Sequence, residues 1–389
     1  MHPFRILPAL ALSLLTFTAC RDDGIAPPQA PLAPLFERDV PGEGRRGITV
    51  MTRNLYVGAN VDLVIQAANT DPNSVPQVVA AAFQQLQHTD FQVRAEGIAD
   101  EIARNRPHVV GLQELSLIRI QTPGDFQPFN AADTVIDFLG VLQAALVTRG
   151  LQYIAYTVPE TDVEVPMLTG FDPSTGPTFS DVRLNDYDAL LIRADLPVAN
   201  VTSANYVNLA PLFGPLPLLR GWIAADVTVD RTTFRVLSTH LEASNPTFSG
   251  AQAGELVTLL ASVRSPVVLL GDFNSGPGDD ETAYRTLTRA GFADVWTAGR
   301  SRGPGLTCCS NPDLDNPTTR GVYGKRIDLV LVRDRMRRRH VDRDDRDEFL
   351  DDARIAVVGE EPRERLLAPG GYRLWPSDHA GVVATLHLP

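Results

Sequence analysis

The chain is 389 residues long, enough for two or three domains of about 150 residues or for one large domain with insertions. Its content of 44% hydrophobic and 21% charged residues is that of a folded globular protein and excludes disorder as the dominant state. A net charge of −12 repels phosphate backbones at long range, which weighs against a nucleic-acid substrate unless a local basic groove or a bound metal overcomes it.

Residues 1–20 read as a targeting segment: Arg5, then the apolar run from Ile6 to Ala19, then Cys20. The run is shorter than the roughly 20 residues a membrane span requires. Phe17-Thr18-Ala19-Cys20 resembles the lipobox of bacterial lipoproteins, whose cysteine carries the lipid and becomes the mature N-terminus, although Phe17 stands where that motif usually has Leu. The resemblance implies an exported protein, attached to a membrane through Cys20 or, with an ordinary signal peptide, secreted. Residues 21–46 are rich in Pro, Ala and charge without an apolar period and read as a flexible tether, leaving 47–389 as the folded domain.

The domain opens with a strand, Ile48 to Asn54. Phe91, Ala95, Ile98, Ala99 and Ile102 then recur at helical spacing until Pro107 stops the helix. His108 to Leu112 reads as a short buried strand leading into Gln113 and Glu114. A long polar loop precedes the strand Ala189 to Arg193, and 160–186 and 206–220 read as insertions. The second is strongly apolar and broken by prolines, suited either to touching lipid or to folding back over the domain. Further strands are expected at Phe234 to His240, Val267 to Leu270, Ile327 to Val332 and Gly381 to Leu386, with helices at about 250–264 and 280–290. Arg335 to His340 forms a basic run, but Asp342, Asp344, Asp345, Asp347 and Glu348 follow at once, so the segment reads as self-neutralising and solvated. Cys308 and Cys309 are adjacent, with Cα atoms about 3.8 Å apart, below the usual disulfide range. They read as a reduced or locally bridged loop pair without catalytic context. No glycine-rich turn follows the first strand, so a sandwich with insertions fits better than a doubly wound sheet.

The predicted strands share a pattern at their ends: Asn54, Glu114, His240, Asp272 with Asn274, Asp328, and Asp378 with His379. A single carboxylate at a strand end is ordinarily a turn or surface residue, but function on α/β scaffolds concentrates at such ends, and here oxygen donors and imidazoles accumulate there. Hard oxygen donors such as Glu114 and Asp378 suit Mg²⁺, which would stabilise charge building on a phosphoryl group. Zinc is disfavoured because no His-Glu-x-x-His helix or spaced cysteine set is present. His379 could take a proton from water, with Asp328 orienting its ring.

Thr52-Arg53-Asn54, Leu112-Gln113-Glu114, Thr239-His240-Leu241, Gly271-Asp272-Phe273-Asn274, Arg326-Ile327-Asp328 and Ser377-Asp378-His379 together resemble, in order, the motifs of the endonuclease/exonuclease/phosphatase superfamily. The resemblance spans nearly the whole mature chain. It implies a single domain built as a four-layer α-β-β-α sandwich with two mixed β-sheets and loop insertions. It also implies Glu114 as the principal Mg²⁺ ligand, with Mn²⁺ or Ca²⁺ as alternatives, Asn54 nearby and Asp378 in the metal environment. His379 would be the general base, oriented by Asp328; Asp272 would position the nucleophile or handle leaving-group protons, and Asn274 and His240 would contact the scissile phosphate. Asp186 or Asp188 is the candidate acid supporting His240. Arg53 departs from the aromatic or small residue usual before the first-strand Asn and is expected to alter the field around the phosphate. The implied partner is a phosphoester, whether lipid head group, nucleic acid or small molecule, with no obligate protein partner. Phosphodiester hydrolysis is the expected activity, with an extracellular nuclease, a phosphomonoesterase and a non-catalytic surface binding protein as competitors.

Overall fold

The computed structural model describes residues 47–388 except 215, 300, 302, 335–349 and 351. Cys20, the targeting segment, the tether and the run at 335–348 therefore lie outside the described residues.

The first strand, β1 (Ile48–Asn54), is followed by three helices, α1 (Val61–Thr70), α2 (Val75–His88) and α3 (Phe91–Asn105). Asp90 caps α3 by accepting from the Val93 amide at 3.4 Å, and Arg106, in the left-handed region, ends it just before Pro107. Next come β2 (Val109–Gln113), β3 (Leu117–Gln121), β4 (Asp133–Asp137), α4 (Phe138–Thr148) and two long strands, β5 (Tyr153–Asp172) and β6 (Gly176–Arg193). β7 (Val198–Asn205), a small hairpin of β8 (Ala210–Phe213) and β9 (Leu216–Leu218), β10 (Gly221–Val229) and β11 (Thr232–His240) follow. The helix α5 (Pro246–Leu260) starts earlier than its apolar spacing suggests, because Asn245 accepts from the Thr247 amide at 2.9 Å and Pro246 suits a first helical position. The chain closes with β12 (Val267–Asp272), α6 (Thr282–Arg289), β13 (Ala293–Asp294), α7 (Val295–Ala298), β14 (Asp328–Arg333), β15 (Arg354–Val358), β16 (Leu366–Leu367), β17 (Arg373–Leu374) and β18 (Gly381–Leu386).

Two mixed sheets hold the fold. One runs β15-β18-β1-β2-β6-β3-β4, with β5 also paired to β6; the other runs β13-β14-β12-β11-β10-β7. Side chains alternate across each strand, and the two periods lead into different cores. Val50, Val109, Val236, Val268, Leu270, Val330, Val382 and Ala384 pack between the sheets. Their neighbours Met51, Val110 and Val383 face outward against Phe91, Ile98 and Ile102 of α3 and Phe138 and Leu142 of α4. On the second sheet, Leu237, Leu269, Leu329 and Leu331 face Leu256 and Leu260 of α5 and Ala283 and Leu287 of α6. Burial on both faces is why these strands read as unbroken apolar runs. The result is the expected four-layer α-β-β-α sandwich in a single domain.

One expectation is corrected, and one open alternative is decided. Residues 160–186 are no loop: they belong to the β5–β6 arm, paired from Tyr153↔Arg193 out to Asp172↔Gly176, with register shifts at Pro159/Asp162 and Leu168/Gly170 that absorb the strand-breaking residues. Met167 and Val165 on this arm pack against Val75 and Val79 of α2. The apolar segment 206–220 carries β8 and β9 and lies against the body rather than projecting from it. Tyr206, Ala210 and Leu212 are buried, the Tyr206 hydroxyl pairs with the Thr239 hydroxyl at 2.7 Å, and Glu255 of α5 accepts from the amides of Val207 and Asn208. Among its described large apolar side chains, Val207 is the one that stands out into solvent.

Candidate active site

Strand direction gathers the chemistry at one edge of the sandwich. β1 runs parallel to β2, and β11 parallel to β12, so Asn54, Gln113 with Glu114, His240 and Asp272 all emerge at carboxyl ends. β14 and β18 run antiparallel to these strands, so their beginnings, Asp328 and the Asp378-His379 pair, reach the same edge. Register then fixes neighbours: His240 is opposite Asp272, and Asp272 is opposite Asp328. The sheets approach closely here because β2 carries Gly111, where an added Cβ would lie 2.9 Å from both the Leu270 Cβ and the Ser238 Oγ. Polar side chains bridge the gap, Gln113 donating to Ser238 at 3.0 Å and Asn54 to Asp272 at 3.2 Å.

Around that bridge the predicted residues divide into two groups. In the first, the Asn54 amide also donates to Glu114 at 2.9 Å, and the other Glu114 oxygen accepts from the Val57 amide at 2.9 Å. Glu114 holds φ at 57° and Asn274 at 47°, left-handed values uncommon for such residues and typical of strain kept at functional sites. The Asn274 amide hydrogens reach the Leu241 carbonyl at 2.9 Å, while its backbone N–H donates to Asp272. In the second group, His379 Nδ1 lies 2.8 Å from Asp328 Oδ2, and its Nε2 lies 3.8 Å from Asp272 Oδ2. His240 Nε2 approaches the same Asp272 oxygen at 3.6 Å, so Asp272 stands between two imidazoles. Asp378 is half-buried and accepts from the Ser377 hydroxyl at 3.3 Å.

His240 is oriented differently from expectation. Its Nδ1 faces Arg220 Nη1 at 2.9 Å, and Arg220 in turn pairs with Glu160 at 3.3 Å. Asp186 instead accepts from Ser116 at 3.1 Å, and Asp188, within 4.8 Å of His240, makes no hydrogen bond to it. Neither acid is the direct support of His240; the guanidinium has taken that ring nitrogen. Because a guanidinium only donates, Nδ1 must accept, and the ring proton sits on Nε2. Burial, then Arg220, then His379 push His240 well below the usual imidazole range, in keeping with a neutral ring. Arg53 likewise departs from its expected role. Its buried guanidinium pairs with Glu101 of α3 at 3.1 Å and donates to the His379 carbonyl, so it props the backbone of His379 and is spent on these two partners.

The electrostatics explain what the pocket needs. Burial, followed by neighbouring carboxylates including Glu114, raises Asp186 to about 7 and Asp272 to about 7. Asp378 rises to about 6, by burial first and then by Glu114 and Asp328 against the lowering effect of His379 and Arg94. Burial alone would lower His379, but Asp328, Asp378 and Asp272 outweigh it and hold the imidazole well above its ordinary range. Glu114 thus opposes the ionisation of three separate acids. A hard divalent cation relieves such repulsion, and the donor set of carboxylate and amide oxygens fits Mg²⁺. Asp272, Asp328 and His379 also form one of the closest groupings of potential ligand atoms, within 4.8 Å of one another.

Sequence reasoning missed four contributors. Arg220 and Glu160 belong to no motif and reach His240 only through strand pairing; Arg220 was signalled solely by its position before β10. Arg94 is fully buried on α3 and donates to the carbonyls of Thr89, Leu55, Tyr56 and Pro376, tying the loop after β1 to the segment that carries Asp378 and His379. Cys309 lies with its Sγ 3.9 Å from His379 Nε2, which overturns the reading of the cysteine pair as remote from any catalytic context.

A sandwich of this kind, with carboxylates, amides and two imidazoles converging at one edge, has the groups that phosphoester chemistry uses. The profile of the Endonuclease/Exonuclease/phosphatase family matches residues 84–379, most of the chain, and the protein belongs to that family. No curated protein matches the sequence closely enough to count. Among solved structures the chain is similar to the endonuclease/exonuclease/phosphatase from Bacteroides vulgatus, at 15% identity and a TM-score of 0.50 over 89% of this chain and 100% of that one. It is similar to the family protein from Bacteroides thetaiotaomicron at 15% identity and TM-score 0.50, covering 88% and 98% of the two chains. The family protein from Leptotrichia buccalis matches at 12% identity and TM-score 0.50 over 87% and 99%. At these identities the likeness concerns the fold.

Proposed function

We propose that the protein is an exported, Mg²⁺-dependent phosphodiesterase in which His379 activates the attacking water. The observation that carries this reading is the 2.8 Å contact of His379 Nδ1 with Asp328, which fixes the ring and leaves Nε2 facing Asp272 across 3.8 Å. Glu114, with Asn54 and Asp378, would hold Mg²⁺, which when bound supplies charge stabilisation to the phosphoryl oxygens. His379 receives the proton of the water at Nε2, and Asp328 balances the imidazolium that forms. His240, with its proton on Nε2, donates toward a phosphoryl oxygen, joined by the amide of Asn274. Asp272, poised at about 7, exchanges protons with the nucleophile or the leaving oxygen. Deprotonation of His379 is opposed by the surrounding carboxylates until their charge is balanced, which couples metal occupancy to base strength.

The test is turnover of plasmid DNA, sphingomyelin and inositol phosphates, each with Mg²⁺ and with a chelator. Mg²⁺-dependent cleavage of one of the diesters supports the reading and identifies its substrate class. Turnover of the inositol phosphates alone makes the protein a monoesterase, and no Mg²⁺-dependent turnover of any substrate overturns catalysis. Export rests on residues 1–20; mass spectrometry of the mature protein should find an N-terminus at lipid-modified Cys20, and retention of Met1 would refute processing.

A further inference from the structure

The cysteine pair is built into the edge of the site. Thr307 and Cys308 donate from their amides to the Lys325 carbonyl at 2.8 and 3.1 Å, and Gly324 and Lys325 donate back to Cys308. On the other side, the Ser310 amide donates to the Asp378 carbonyl at 2.7 Å and the Ala380 amide to the Thr307 carbonyl at 2.8 Å. This main-chain lacing pins the pair between the entry to β14 and the Asp378-His379 segment. Cys308 and Cys309 are joined by a disulfide; Cys308 is buried, and Cys309 is exposed. The two Sγ atoms and the ring nitrogen of His379 all lie within 4.8 Å of one another, the Cys309 Sγ being 3.9 Å from Nε2.

We propose that, once the disulfide is reduced, Cys308, Cys309 and His379 form a binding site for one thiophilic divalent cation, such as Zn²⁺ or Cd²⁺, whose occupation stops hydrolysis by engaging His379 Nε2. The inhibitory half of this inference rests on the reading of His379 as the base. A tetrahedral ion with a metal–sulfur bond of about 2.3 Å and a metal–nitrogen bond of about 2.05 Å places sulfur and nitrogen about 3.6 Å apart, a few tenths of an ångström less than the separation found here. The ring is already oriented for a ligand: Asp328 at 2.8 Å takes Nδ1–H, the carboxylate–histidine pairing that orients metal-bound imidazoles, and in the neutral form of the ring Nε2 offers its lone pair. Chemical softness separates this site from the oxygen-lined one beside it, since thiolates select Zn²⁺ and its softer congeners whereas carboxylates suit Mg²⁺. The soft site takes His379 and none of Glu114, Asn54 or Asp378, so the softer ion blocks without competing for Glu114.

The chemistry balances with a dithiol reductant. It delivers two electrons and two protons, breaking the Cys308–Cys309 bond to give two thiols while becoming a cyclic disulfide itself. Binding of the cation releases both thiol protons and forms two metal–sulfur bonds and one metal–nitrogen bond, with a fourth position open to water.

The experiment uses the full chain, reduced under argon, freed of reductant and titrated with Cd²⁺ in the presence of Mg²⁺. The reduced protein is expected to bind one Cd²⁺ with a thiolate-to-metal absorption band in the ultraviolet and to lose turnover in step with that band. The oxidised protein should show neither effect. Cys309→Ser, a change at an exposed position, should require about 100-fold more Cd²⁺ to develop the band, since loss of a ligand costs at least as much as loss of its supporting partner. Absence of the band in protein in which Cys308 and Cys309 both react with a thiol reagent, located by peptide mapping, overturns the site, as does unchanged Cd²⁺ affinity in Cys309→Ser. A thiolate band in a protein that hydrolyses no phosphoester upholds the metal site and refutes the base. Mg²⁺-dependent hydrolysis that persists when the band has saturated upholds the enzyme and refutes inhibition through His379.

Discussion

At the scale of single residues, the site is a set of titrating groups whose charges oppose one another, and its function depends on which of them is relieved. His379→Ala should lower kcat by about 100-fold or more, because a positioned base contributes at least that factor; wild-type turnover would remove His379 from the role. Asp328→Asn gives a sharper test. Burial lowers the His379 imidazole, and Asp328 is the first of the carboxylates that outweigh burial and raise it. A base must be deprotonated to act, so activity rises with pH through this group. Removing the Asp328 charge should move the acidic limb of kcat/KM to lower pH while kcat falls; a limb that stays in place would show that another group governs it. The residues of this machinery were legible in the sequence because each closes or opens a strand and carries a donor out of character with the apolar run beside it. Arg220, Glu160 and Cys309 were not, because their signal is spatial: Arg220 meets Glu160 from 60 positions away, and Cys309 meets His379 from 70.

At the scale of elements, the strands β1, β2, β11, β12, β14 and β18 and the helices α3, α5 and α6 were readable, whereas the edge strands and α1, α2 and α4 were not. β1 and β18 fall where their apolar runs lie, because burial on both faces leaves little choice of residue. The β5–β6 arm carries Pro159, Pro166 and Pro177 and alternates with exposed positions, so its sequence resembles loop; pairing along its whole length, with two irregularities, makes it strand. α1, α2 and α4 were missed because nothing in them bears on the motifs, yet α2 is what covers the arm. Contact between the sheets gives the prediction at this scale. At Gly111 an added Cβ would fall 2.9 Å from the Leu270 Cβ, which is side-chain stem rather than a flexible tip, so the sheets must shift to admit it. Gly111→Ala should destabilise the domain by about 1–3 kcal/mol in denaturant titration, the usual cost of overpacking. It should also lower kcat, because Asn54 and Glu114 ride on one sheet and Asp272 and Asp328 on the other. Unchanged stability would mean that the close approach is slack.

For the whole molecule, the buried carboxylates make stability depend on pH and on metal together. Glu101 and Asp186 are raised to about 7 and Asp272 to about 7, each by burial first, and His379 is held above its ordinary value against burial. In the unfolded chain the acids titrate near 4 and histidine near about 6.5. Between pH 6.5 and 8 the native chain therefore holds protons that the unfolded chain has released, and stability falls as pH rises. His108, lowered to about 4 mainly by burial, and His240, also lowered by burial, act in the opposite direction, but their effect is exhausted above about pH 6.5. Calorimetry in chelator should give a lower Tm at pH 8 than at pH 6.5. Mg²⁺ competes with protons for the acids around Glu114, so it should raise Tm more at pH 8 than at pH 6.5; equal increments at both would place the ion away from these groups.

The position of β1 has a consequence in time. It lies between β2, some 60 residues further along the chain, and β18, about 330 residues further, and the loop before β18 brings Asp378 and His379. A chain folded only as far as Trp375 holds Asn54, Glu114, His240, Asp272 and Asp328 but lacks Asp378 and His379, and β1 has only one neighbour. The cluster is therefore complete only when stretches of chain more than about 300 residues apart lie side by side. Ordering so long a loop costs entropy before its contacts repay it, so the edge that carries Asp378 and His379 should form late in folding.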